Sequence, residues 1–173
     1  MRTDTHHSTD TAGPHQDGDP DRLRSIALFA GLPDSELQDI AARCTVSTAH
    51  PGQVLQAQDV PVRMWHVICG GYAIVQREGT PIGLLGRGDT WSEHSLLNQL
   101  QSSIAVVALS PLILLTLNRR VFFEIMEHHP VLAGRLVARS ASSADRLALP
   151  VFNALAHFAD TECTGECPGG QYA

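Results

Sequence analysis

Short apolar runs separated by turn residues fill the middle of the chain, residues 45–118. Dipeptides such as Pro51-Gly52 and Gly70-Gly71 punctuate this region, and a Gly-rich turn follows at 86–89. The runs are too short for stable helices, whereas short runs bounded by Gly, Pro and Asp are typical of antiparallel strands. The pattern predicts strands at 54–56, 65–69, 72–76, 81–85, 104–109 and 112–117.

Helical periodicity replaces this pattern on both sides of the strand region. A helix is predicted at 33–43, where a proline and two acids precede an apolar stripe, and a shorter helix at 21–28. After the strands, Pro130 begins a long apolar stripe that ends before Pro150. We therefore predict an α+β fold. Its centre is a jelly-roll-like, double-stranded β-helix barrel of about eight strands, flanked by N-terminal helices and a long C-terminal helix.

The chain divides into three predicted parts. Residues 1–20 are rich in Asp, His and Pro, which is typical of a disordered tail. Residues 21–149 form the domain with its C-terminal helix, and residues 150–173 form a short helix followed by a flexible Cys/Gly tail. Cys163 and Cys167 in that tail are not spaced as a zinc knuckle, so we predict no metal site. Their role stays open.

Composition and charge exclude several classes of function. All twelve basic residues are arginine, so the chain has no P-loop or Schiff-base lysine. A formal net charge of −6 argues against nucleic-acid binding by bulk attraction. No apolar run reaches the roughly 18 residues of a membrane span, and the N-terminus lacks the pattern of a secretory signal. We therefore expect a cytoplasmic protein that does not contact a membrane.

An enzyme is not expected either. A metal-dependent β-roll enzyme needs two histidines one residue apart, and His66 has no such partner. The sequence also lacks the G-x-S-x-G and H-E-x-x-H motifs that mark common hydrolase sites.

Several segments within residues 24–147 carry a resemblance to one family. They are LFAGL (28–32), HPGQVL (50–55), WHVICGG (65–71), LGRGDTW (85–91), VVAL (106–109) and LTLNR (115–119). In this order they resemble the cyclic nucleotide-binding domain family, which includes the sensory domains of Crp/Fnr-like bacterial regulators. The resemblance implies a regulatory, signal-transducing domain that binds cAMP or cGMP.

The family's phosphate cassette is similar to residues 91–104, WSEHSLLNQLQSSI. The resemblance implies that Glu93 accepts a hydrogen bond from a ribose 2′-hydroxyl. Ser92 stands where the family has a glycine that lets the backbone approach the ligand. The candidate ligand-binding residues are Ser92, Glu93, His94, Ser95, Leu96, Ser102, Ser103 and Ile104.

The cassette departs from the family at its phosphate arginine. Ser102, or Ser103 after a one-residue shift, occupies that position, and no Arg lies between Arg87 and Arg119. This leaves Glu93 without a nearby cation. A charge-assisted hydrogen bond to a buried anion is worth roughly 1.5–3 kcal/mol, so its loss weakens binding by about 10- to 150-fold. The two hydroxyls and nearby backbone amides compensate in part, so weak or lost cAMP binding is predicted.

Three functional hypotheses remain open at this point. The first is a stand-alone sensor that signals to a protein partner through its C-terminal helix. The second is a ligand-free dimerisation or adaptor module. The third is a transcriptional regulator that acts through a DNA-binding partner, because residues 150–173 contain no Arg or Lys for a recognition helix and no direct DNA binding is expected.

Two further expectations concern assembly and cofactors. The apolar face of residues 131–147 favours a homodimer, because one small roll cannot cover it fully. No cofactor is assigned with certainty beyond a weakly bound cAMP or cGMP. A haem on His94 is an alternative, since DTWSEHS resembles the haem-ligating segment of a sensor in the same superfamily. Ser140, Ser142 and Ser143 also lie on the long helix, and whether any of them faces the ligand is left open.

Overall fold

Residues 16–146 are described by the structure, a computed structural model, and they form a β-roll with helices at both ends. The strands are β1 (Gln16–Asp17), β2 (Thr45–Ala49), β3 (Val54–Gln56), β4 (Met64–Gly70), β5 (Ala73–Arg77), β6 (Thr80–Leu85), β7 (Thr90–Trp91), β8 (Ala105–Ala108) and β9 (Leu112–Asn118). The helices are α1 (Pro20–Arg24), α2 (Asp34–Arg43), α3 (Glu93–Leu97), α4 (Arg119–His128) and α5 (Pro130–Arg146), with a 3-10 turn at Ala27–Phe29.

Two antiparallel sheets make up the roll. Their strand orders are β1-β2-β9-β4-β7 and β3-β8-β5-β6. Buried side chains from both sheets form one apolar cluster, to which Ile68 and Leu114 contribute from the first sheet and Ala73 and Val106 from the second. The sheets therefore pack face to face, and burial of this cluster stabilises the roll.

A second apolar cluster lies on the other face of the first sheet. Val67 points into this cluster while its neighbour Ile68 points into the roll, as expected from the alternation of side chains along a strand. The helices cover this face with Phe29, Phe122 and Leu132, all fully buried. The N-terminal helices and the start of α5 are thus held on the same sheet.

The beginning of α5 is anchored to the N-terminal helices. Leu136 is fully buried, and the Arg135 guanidinium donates a 2.8 Å hydrogen bond to the Leu28 carbonyl. His129, just before α5, lies between two carboxylates of α2: its Nδ1 is 3.2 Å from Glu36 Oε2 and its Nε2 is 2.9 Å from Asp39 Oδ2. The bond from His129 lowers the pKa of Asp39. These contacts fix one end of the long helix.

The predicted fold class is confirmed, with differences at the margins. All six predicted strands are present, and the helix predicted at 33–43 is α2. Strands β1, β2 and β7 were not predicted from the sequence. Strand β1 falls in the predicted N-terminal tail of residues 1–20, where Gln16 and Asp17 pair with Val46 and Thr45. Residues 1–15 and 147–173, with Cys163, Cys167 and the predicted last helix, lie outside the described residues. Within 16–146, no helix is long and apolar enough to cross a membrane.

Candidate ligand-binding site

A left-handed residue connects β7 to α3. Ser92 has φ 82° and ψ −11°, a conformation that costs a residue with a Cβ about 1–2 kcal/mol. A glycine there carries no such cost, which is the physical reason for a glycine at this place in the cassette pattern. Glu93 follows this turn as the first residue of α3, and its side chain is buried.

Glu93 is the buried carboxylate of the site. It is only 3% exposed, and its Oε1 accepts a 3.0 Å hydrogen bond from the Thr90 hydroxyl. Its Oε2 is equally buried and has no hydrogen-bond partner among the described residues. Buried polar atoms are nearly always paired, because leaving one unpaired is costly. Glu93 Oε2 is therefore a buried acceptor for which the described residues provide no donor.

A cavity of about 990 Å³ opens in front of Glu93. This is at the upper end of the range for small-molecule sites, roughly 300–1,000 Å³. Seven of the eight predicted residues line it, namely Ser92, Glu93, His94, Ser95, Ser102, Ser103 and Ile104. The eighth, Leu96, is fully buried in the helical core instead. Val75, Leu85 and Val137 supply apolar wall, which suits a flat or hydrophobic group of a ligand.

Helix α5 closes one side of the cavity. Ser140 lies on the wall, and its hydroxyl is 3.3 Å from Nδ1 of His94 in α3. Arg139 also lines the cavity, with Nη2 3.7 Å from Oδ1 of Asp89. The sequence left the direction of Ser140 open, and the structure places it at the site. The cassette and the long helix thus touch each other around the space that a ligand would fill. The alternative of a haem on His94 stays a prediction.

Two arginines correct the expectation that the site lacks a cation. Arg77, at the end of β5, and Arg139, in α5, both line the same cavity as Glu93. Both lie far from the cassette in sequence, and only the packing of β5 and α5 around α3 brings them there. No local motif marks them, which is why the sequence analysis missed them.

The hydroxyls of Ser102 and Ser103 differ in whether they are available to a ligand. Ser102 is 4% exposed, and its hydroxyl donates a 2.7 Å hydrogen bond to the Ile104 carbonyl. This hydrogen bond joins two residues of the same loop, so the hydroxyl proton of Ser102 is not available to a ligand. Ser103 is exposed and lines the cavity, so its hydroxyl is the one offered to a ligand.

An aromatic pair lies behind the cassette. The His66 ring stacks on Trp91 with centroids 4.4 Å apart and an angle of 3°. Burial lowers the pKa of His66 to about 4, so the ring is neutral at pH 7. Trp91 lines the cavity and also carries the backbone into Ser92. Across residues 16–146, no three His, Cys, Asp or Glu side chains are grouped to hold a metal ion.

Comparison with solved structures identifies this arrangement. A structure described as that of a cyclic nucleotide-binding protein from Geobacter metallireducens superposes with a TM-score of 0.63 at 22% identity. The superposition covers 74% of this chain and 97% of that one. The chain has the cyclic nucleotide-binding fold. The resemblance predicted from the sequence is thereby confirmed at the level of the fold. No family model and no curated protein matches the sequence.

Two further structures with this fold are longer proteins. The catabolite activator protein of Thermus thermophilus gives a TM-score of 0.59 at 23% identity, covering 78% of this chain and 60% of that one. A cAMP-binding acyltransferase from Mycobacterium smegmatis gives 0.59 at 28% identity, covering 72% and 42%. The chain also spans 46% and 48% of two matched kinase regulatory proteins. This chain therefore spans less than two thirds of each of these four proteins.

Proposed function

We propose that this cyclic nucleotide-binding fold is a regulatory domain whose cavity senses a nucleotide-type ligand. The observation that carries the proposal is Glu93, a buried carboxylate in the wall of a cavity of about 990 Å³, whose Oε2 has no hydrogen-bond partner among the described residues. A ribose hydroxyl supplies the missing donor. The apolar wall around Val75 and Leu85 accommodates a base. This reading matches the cyclic nucleotides named for the solved structures with the same fold.

The signal is proposed to leave the site through α5. A ligand in the cavity lies against Val137, Arg139 and Ser140 of that helix. The helix is anchored at Leu132 and Leu136, and further along it Arg139 and Ser140 make polar contacts to Asp89 and His94. A ligand that favours one position of this part of α5 biases the helix relative to the roll.

Assembly belongs to the same proposal. Val131 is 53% exposed on α5 and lies outside the cavity wall, which favours contact with a second copy or a protein partner. The domain is proposed to act in the cytoplasm by binding rather than by catalysis. Direct DNA binding is not part of the proposal.

A second candidate is an adaptor whose cavity binds no ligand. One observation favours it: Ser102, at the cassette's phosphate position, is buried and donates its proton to its own loop. In that case the roll and α5 serve only as an interaction module. The two candidates differ in whether any nucleotide binds stoichiometrically.

Isothermal titration of the full chain with cAMP and cGMP separates them. The sensor proposal predicts saturable binding of one ligand per chain, weaker than micromolar for cAMP. Glu93→Gln should reduce the affinity at least about tenfold, since it removes a charge-assisted hydrogen bond. Glu127→Gln is the matched control, because Glu127 is exposed on α4 and does not line the cavity. Absence of saturation by either nucleotide at about 1 mM would favour the adaptor. Saturable binding with equal effects of the two substitutions would contradict the role of Glu93 in the sensor proposal.

A further inference from the structure

The cavity has an uncompensated cation next to the end of the cassette. Arg77 lines the cavity, and no hydrogen bond or ion pair joins its guanidinium to another described residue. Arg139, in contrast, already faces Asp89 at 3.7 Å. The positive charge left over for a ligand is therefore that of Arg77.

Strand register explains why Arg77 is at the site. Strand β5 pairs with β8 in antiparallel fashion, and Gln76 lies opposite Ala105. The next step of the same register puts Arg77 beside Ile104, which directly follows Ser103. Side chains two residues apart share a face of a strand, so Arg77 faces the same way as Val75, another residue of the cavity wall.

We propose that Arg77 and Ser103 form an anion site that replaces the missing cassette arginine from across the sheet. The ligand is then a phosphorylated nucleoside, with a hydroxyl on Glu93 Oε2 and its phosphate on Arg77. This inference rests on the proposed function and names the residue that reads the ligand's charge. Because Arg77 is exposed, the phosphate lies at the mouth of the cavity and stays partly hydrated.

The position at the mouth sets the expected ligand preference. A partly hydrated phosphate that carries two charges is attracted more strongly by Arg77 than one that carries a single charge. A nucleoside 5′-monophosphate has about 1.5 to 2 negative charges at pH 7, whereas a cyclic phosphodiester has one. AMP is therefore expected to bind at least as tightly as cAMP, with an affinity that falls as salt is added.

The test is titration of the full chain with AMP, cAMP and adenosine, using Arg77→Gln, Arg77→Lys and the control Arg63→Gln. Arg63 is also exposed but lies outside this cavity. Arg77→Gln should weaken AMP about fivefold and leave adenosine within about twofold, since the contact is charged but exposed. Arg77→Lys should retain most of the affinity. Arg63→Gln should change nothing.

Three results of these titrations would contradict the proposed anion site, and they differ from one another. If AMP binds but Arg77→Gln behaves like Arg63→Gln, the anion site is refuted while the proposed function stands. Equal losses for AMP and adenosine also refute it, because Arg77 would then support the fold rather than the charge. If none of the three ligands binds at about 1 mM, the proposed function fails and this inference fails with it.

Discussion

Replacing Ser92 by glycine should stabilise the protein. Ser92 holds a left-handed conformation with φ 82°, and its hydroxyl is buried without a partner among the described residues. Glycine relieves about 1–2 kcal/mol of backbone strain and removes an unpaired hydroxyl worth about 1 kcal/mol. Against this, the more flexible unfolded chain costs about 0.5–1 kcal/mol. The net gain is about 1–2 kcal/mol, or about 3–6 °C in Tm for a chain of this size.

Two other variants separate the contributions. Ser92→Ala removes the hydroxyl but keeps the Cβ, so it should gain only about 1 kcal/mol. Gln99→Gly is the matched backbone control, because Gln99 is exposed and also left-handed, with φ 56°. It should gain less than 1 kcal/mol, since it relieves strain but removes no buried hydroxyl. The assay is urea and thermal unfolding followed by fluorescence of the buried Trp65 and Trp91. A Ser92→Gly variant that is less stable than Ser92→Ala would refute the strain argument.

Further tests are available at three residues, His66, His129 and Arg139. Burial lowers the pKa of His66 from its ordinary 6.5 to about 4. The contribution of His66 to the free energy of unfolding should therefore be constant above about pH 6.5. It should fall by up to about 3 kcal/mol as the pH drops to about 4, because the unfolded chain then binds a proton that the folded protein does not. His66→Phe should remove most of that slope in urea titrations at several pH values. His129→Gln should lower stability by about 1–3 kcal/mol in thermal unfolding, since it disturbs the contacts to both Glu36 and Asp39. Arg139→Gln should change global stability by less than about 1 kcal/mol, because Arg139 Nη2 and Asp89 Oδ1 are 3.7 Å apart. The same substitution should speed hydrogen exchange in residues 137–140. Unchanged exchange there would mean that Asp89 does not hold the helix.

The strands that are rich in large apolar residues were predicted from the sequence, and those that are not were missed. Strand β4, with Trp65 and Val67 on one face and Ile68 on the other, carries a dense apolar signal. Strand β2 has the sequence TVSTA, where Val46 is the single large apolar residue, so its pairing with β9 rather than its own pattern makes it a strand. Strand β7 is two residues long, which is too short for any periodicity.

The site was predictable where it is contiguous in sequence. Glu93 and Ser103 belong to one segment, and a single local pattern placed both at the cavity. Arg77, Arg139 and Ser140 come from β5 and α5, and only tertiary packing brings them to α3. The side chain of Leu96 lies in the helical core, because a short helix with one face on the cavity must turn another into the core.

Hydrogen exchange of α5 tests the central claim, that a ligand at Glu93 acts on the long helix. The full chain and Glu93→Gln are compared with and without nucleotide at several times the Kd found by titration. The account predicts slower exchange in residues 137–146 of the wild-type chain on binding, and no such change in Glu93→Gln at the same nucleotide concentration. Protection confined to the cassette, with α5 exchanging at the same rate in bound and free protein, would contradict it.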